Sequence, residues 1–134
     1  MLDAQSALVY TMVLAAAADA TMSDREIEVM SDIVRMLPVF EGWDTTRISG
    51  LSQECADLMA DENGIDKALE AVDRALPLHL RETAYALACD VVAADGTAVQ
   101  EELRLLEMLR HKIGVGRLEA AAIERGARAR FHPA

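Results

Sequence analysis

The sequence predicts an all-α protein. Apolar residues recur at helical spacing through most of the 134-residue chain, alanine and leucine are abundant, and no stretch alternates with period two long enough for a strand. A short pattern also occurs twice, 76 positions apart: Ala17-Ala18-Asp19-Ala20-Thr21 leading to Glu26-Ile27, and Ala93-Ala94-Asp95-Gly96-Thr97 leading to Glu102-Leu103. Each copy has an apolar helical run, an aspartate where the run stops and a glutamate seven residues later at the head of the next run.

The first helix is expected from about Asp3 to Ala18, with Leu8, Met12, Ala15 and Ala16 on one stripe. Ser23-Asp24-Arg25-Glu26 fits a capping box, in which the serine hydroxyl accepts from the glutamate N–H and the glutamate accepts from the serine N–H. The second helix therefore starts there, buries Ile27, Met30, Ile33 and Val34, and stops at about Leu37 because Pro38 disfavours helix in the residue before it. A loop follows, in which Phe40 and Trp43 cover the end of the core.

A third helix from Asp44 carries Ile48, Leu51, Cys55, Leu58 and Met59 and closes near Asn63-Gly64, with the glycine in the left-handed position. Ile65 to Leu76 forms a fourth helix, and Pro77 suits the first turn of a fifth that carries Leu80, Ala84, Leu87, Ala88 and Val91. The sixth presents Leu103, Leu106 and Leu109; Gly114 and Gly116 break the chain; a seventh follows with Leu118, Ala121, Ala122 and Ile123 on its apolar side. The duplication implies one domain over residues 1–134, with an internal repeat at 4–37 and 80–113, two pseudo-twofold-related helical hairpins, and a basic C-terminal helix at 117–130.

Charge narrows the function classes. The formal net charge is −10, distributed as −5 over residues 1–32, −9 over 33–103 and +4 over 104–134. Most of the surface repels phosphate backbones, so nucleic-acid binding is not expected; Arg117, Arg125, Arg128 and Arg130 make the C-terminal part suited to an acidic partner surface. No apolar run approaches the roughly twenty residues of a membrane span, and Asp3 stands where a secretory leader would be basic, so a soluble cytoplasmic protein is expected, without membrane insertion. Cys55 and Cys89 lack metal-ligand spacing and are expected to be free and buried in a reducing compartment.

The acidic turns are the best candidates for chemistry. An aspartate at a helix C-terminus faces unpaired carbonyls and partial negative charge, which calls for compensation. One source is the amides that open the following helix, making Asp19, Glu26, Asp95 and Glu102 plain caps. The other is a divalent cation, Ca²⁺ or Mg²⁺, taking these four carboxylates together with loop carbonyls. The spacing is not that of an EF-hand. His79 with Glu82 and Glu107 with His111 share helical faces and read as surface pairs. A di-iron bundle is excluded because no Glu-x-x-His segment exists, and no nucleophile elbow or phosphate-cradling glycine loop supports an enzyme.

With these segments in place, the chain resembles the TerB family of tellurite-resistance proteins over about residues 4–126. Asp95, Gly96 and Glu102 match the family's aspartate-glycine and following glutamate; Asp19 and Glu26 match in the first turn, where Ala20 replaces glycine. The resemblance implies a compact seven-helix fold with a clustered acidic surface, divalent-cation binding, and a stress-response role without catalysis. It also implies a protein partner: a similar domain fronts some membrane-anchored J-domain co-chaperones, where it mediates association. A metal-independent scaffold, or a homodimer built on a self-association face, is the alternative.

Overall fold

The computed structural model describes residues 2–18, 22–94, 96 and 98–134. Among them the apolar periodicity resolves into seven α-helices: α1 (Ala4–Ala16), α2 (Asp24–Met36), α3 (Arg47–Ala60), α4 (Gly64–Ala75), α5 (Arg81–Ala93), α6 (Gln100–Ile113) and α7 (Arg117–Arg130). Pro38–Phe40 and Leu78–Leu80 are single 3-10 turns, and no strand occurs among the described residues.

The first helix carries no polar face. Every residue from Ser6 to Ala16 is buried, so the stripe expected from Leu8, Met12, Ala15 and Ala16 is replaced by burial on all sides. The buried Thr11 hydroxyl is satisfied within the helix, Thr11 Oγ1 donating to Ala7 O at 2.8 Å. Helices α3, α4, α5 and α6 all pack on α1, and α1 with α5 forms the most extensive helix pair. A helix that is apolar all round must be enclosed by others, and α1 is the axis of the core.

The N-terminus of α1 is fixed by Asp3, which caps Ser6 N–H at 2.7 Å. Arg47, at the start of α3, reaches across to Asp3 (3.3 Å) and Ser6 Oγ (3.0 Å) while lying 5.4 Å from the centroid of the Trp43 ring. The amide–carboxylate contact with Ser6 and, behind it, the Arg47 contact hold the Asp3 carboxyl below its usual range. Phe40 is buried and meets Trp43 edge to face at 5.6 Å, so the loop after α2 closes the core as expected.

Several expected faces are corrected. Ile27 is 47% exposed and Leu103 is 48% exposed; the buried faces turn instead through Glu26, Val29, Met30 and Val34 on α2 and through Glu102, Leu105, Leu106 and Leu109 on α6. On α7, Leu118 is 78% exposed and Ala121 and Ala122 are exposed, while Ala120 and Ala127 are buried and Ile123 is half-buried. In all three cases a small or polar residue takes the inward position. The neighbouring helix approaches too closely, or a cap must form there, for the larger apolar side chain to enter.

Two turn readings also change. Asn63, not Gly64, takes the left-handed backbone (φ 59°), and Gly64 opens α4 as a buried residue whose Cβ would lie 2.1 Å from Leu58 O. The glycine is required for space. Pro77 precedes the 3-10 turn Leu78–Leu80, and α5 begins only at Arg81. That delay lets Arg81 donate to Asp73 Oδ1 (2.6 Å), Asp73 O (2.8 Å), Leu76 O (3.1 Å) and Ile113 O (3.2 Å), tying the ends of α4 and α6 to the start of α5. Lys112 on α6 meets Glu70 on α4 at 2.5 Å, lowering the carboxyl and raising the amine.

Candidate functional site

Helices α2 and α6 both open on a glutamate three residues past the cap position, and this spacing decides how each carboxylate lies. Glu26 Oε1 accepts from Ser23 N–H at 2.9 Å, and Ser23 Oγ accepts from Glu26 N–H at 3.1 Å, the full capping box. Glu102 Oε1 accepts from Val99 N–H at 3.0 Å; valine has no side-chain acceptor, so only the glutamate half forms there. Such a reach back over the helix mouth withdraws a carboxylate from solvent, and Glu26 and Glu102 are only 2% and 4% exposed. They are the two buried carboxylates among the described residues.

The two differ in one respect. Glu26 Oε2 is buried with no hydrogen-bond partner among the described residues. Asp19 and Asp95, the other two acids of the expected cation site, lie outside the described residues, as does Ala20. Between the second aspartate and Thr97, Gly96 is described and has φ +79°, the conformation that the aspartate-glycine pattern calls for. Among the described residues no group of three or more His, Cys, Asp or Glu side chains is placed to hold a metal ion. His79 with Glu82 and Glu107 with His111 accordingly form no such cluster.

The arginines of the C-terminal helix separate into two kinds. Arg130 is engaged by Asp90 of α5, so it fastens α7 to the core. Arg117, Arg125 and Arg128 are exposed and make no ion pair among the described residues. Beside them the chain forms a half-open cleft of about 650 Å³ between α5, α6, α7 and the residues that follow α7. The helix periodicity does not reveal it, because its walls come from three separate segments. The local trace it leaves in the sequence is Leu103, an apolar residue directly after the capping Glu102 that turns outward to the cleft rim.

Two tyrosine–glutamate contacts anchor the outer helices. Tyr10 on α1 donates to Glu54 on α3 at 2.6 Å, and Tyr85 on α5 donates to Glu124 on α7 at 2.5 Å. Each tyrosine ring is buried and each glutamate is at the surface. Burial first, and the carboxylate second, push both phenols above their ordinary value. Cys55 and Cys89 are free and buried, and desolvation pushes both thiols up to about 12, so neither is a nucleophile at neutral pH.

No helix among the described residues is long and apolar enough to cross a membrane. Searches of curated proteins and of solved structures return no match to the chain. Residues 5–125 match the family described as tellurite resistance protein TerB. That match spans nearly the whole sequence and agrees with the helical fold, so the chain belongs to the TerB family.

Proposed function

We propose that this tellurite-resistance-type module is non-enzymatic, takes a divalent cation at its duplicated acidic turns, and engages a protein partner through the arginine-bearing face of α7. The observation that carries the cation reading is Glu26, a buried carboxylate with one oxygen that has no donor among the described residues. Leaving such an oxygen unpaired costs on the order of 1–3 kcal/mol, and a cation would offset that cost. Asp19, Glu26, Asp95 and Glu102 supply only oxygen, the donor set of Ca²⁺ or Mg²⁺ rather than of a soft metal. When bound, the cation would neutralise the carboxylates at the mouths of two helices.

Thermal unfolding with and without Ca²⁺, Mg²⁺ or Mn²⁺ tests this reading. A bound ion adds about 2.7 kcal/mol at a hundredfold excess over Kd, so the melting temperature of the wild type should rise, and that of Glu26→Gln and Asp95→Asn should rise much less. Identical curves for all three proteins under every condition would remove the cation.

The partner reading rests on Arg117, Arg125 and Arg128, exposed cations on a protein of net charge −10. An acidic surface, on a soluble or a membrane-associated protein, matches them. Free buried thiols fit a cytoplasmic setting. Binding that survives reversal of all three charges and does not weaken with salt would exclude this face.

A second reading is favoured by the caps themselves, since Glu26 and Glu102 already accept from Ser23 and Val99. On it the acids are structural and the protein is a metal-independent scaffold or homodimer. Light scattering at two salt concentrations, in EDTA, distinguishes the two: a concentration-dependent dimer unaffected by chelation supports the scaffold.

A further inference from the structure

Helix α7 stands apart from the rest of the bundle. Each of α2 to α6 touches α1, whereas among the described residues α7 packs extensively on α5 alone. Only Ala120 and Ala127 of its fourteen residues are buried, against seven of thirteen on α5, so little apolar surface leaves water when α7 docks. The half-open cleft at its C-terminal end shows that α7 does not fill the space beside α5 and α6.

What holds α7 down is largely polar. Glu124 accepts from the Tyr85 hydroxyl and Arg130 meets Asp90, and both α7 residues are exposed, so water can replace each contact. The linker before α7 is pinned on its near side: Val115 is buried and its carbonyl accepts from Arg110 Nη1 at 3.1 Å. Rotation at Gly116, the residue that opens α7, is then enough to lift the helix while α6 stays in place. An element with few buried contacts and exposed fasteners lies at the low end of the local stabilities within a fold. We propose that α7 is a latch, which undocks from α5 as a unit while α1 to α6 remain folded and so uncovers a strip of α5 containing Tyr85, Cys89 and Val92. All three are buried while α7 is docked.

The two buried thiols report on the latch. Cys89 lies in the strip, while Cys55 is fully buried on α3, a helix that packs on α1 and α4 and takes no part in the undocking. The full chain is alkylated with N-ethylmaleimide in EDTA, with no partner present, so that neither the cation nor the partner reading affects the outcome. The reagent is kept dilute enough for reclosing to outpace alkylation, the urea concentration is varied below the unfolding transition, and peptide mass spectrometry follows each cysteine. Cys89 should react at least about tenfold faster than Cys55 without urea. Its rate should rise with urea less steeply than that of Cys55, because undocking one helix exposes less surface than global unfolding. Glu124→Ala leaves the Tyr85 hydroxyl without its acceptor in the closed state and should speed Cys89 by about fivefold or more. Tyr10→Phe removes a contact between α1 and α3 that the open state keeps, so it should speed Cys55 by about fivefold and leave Cys89 unchanged. Equal rates and urea slopes at the two cysteines, a Cys89 rate independent of urea, equal acceleration of both by Tyr10→Phe, or no effect of Glu124→Ala overturns the proposal.

Discussion

Tyr85 on α5 donates its hydroxyl to Glu124 on α7 at 2.5 Å, with the ring in the core and the carboxylate at the surface. The contact joins a central helix to the outermost one, and Tyr10 with Glu54 joins α1 to α3 in the same manner. In each case an amphipathic side chain satisfies its polar end at the edge of the apolar interior.

Tyr85→Phe and Tyr10→Phe should therefore each cost about 1 kcal/mol, the net value of one hydrogen bond with an exposed acceptor. Urea unfolding of the single and double variants measures this. The two losses should add, because the pairs share no partner. A double variant that loses far more than the sum would show that the pairs are coupled through α1 and α5.

The same tyrosines set an alkaline limit. Their phenols are held above the ordinary value of about 10 in the folded state, so above that pH the unfolded chain releases protons that the folded chain retains. Stability should be fully present below about pH 10 and fall as pH rises beyond it. Replacing both residues with phenylalanine should flatten that decline in the measured pH profile.

Two glycines should respond with opposite signs. In Gly64→Ala the new methyl would lie 2.1 Å from Leu58 O, a backbone atom that cannot step aside, and the loss should be about 2–4 kcal/mol. Gly50 lies inside α3 with open space around its Cβ direction, so Gly50→Ala should add about 0.5–1 kcal/mol through helix propensity. Chemical denaturation of the two variants checks both.

Arg81 serves four acceptors at the junction of α4, α5 and α6. Arg81→Met should cost about 2–4 kcal/mol by leaving carbonyls and Asp73 unpaired. Lysine should recover little of it, since one ammonium group cannot reproduce the planar fork. Full recovery by lysine would mean that charge alone matters at this junction.

How much of this was legible depended on range along the chain. Helix order and most boundaries followed from local signals: Ser23 with Glu26, Pro38 and Gly114 act within a turn or two of themselves. Family membership followed from the paired acidic turns. Which face of α2, α6 or α7 turns inward was less legible, because Ile27, Leu103 and Leu118 are apolar residues that helical periodicity alone assigns to the core. The cap requires Glu26 and Glu102 to lie back over their helix ends, and close approach of α7 admits Ala120 and Ala127 in preference to leucine. The cleft and the Arg81 junction were not legible at all, since each assembles groups from three or more distant segments.

The enclosure of α1 has a consequence for synthesis. This helix leaves the ribosome ahead of every helix that encloses it, and those helices extend through α6, so some hundred residues must be translated before its last neighbour exists. Throughout that interval a thirteen-residue greasy segment has no protein surface to rest against. Until those neighbours emerge, the exposed apolar segment should be a binding site for holding chaperones.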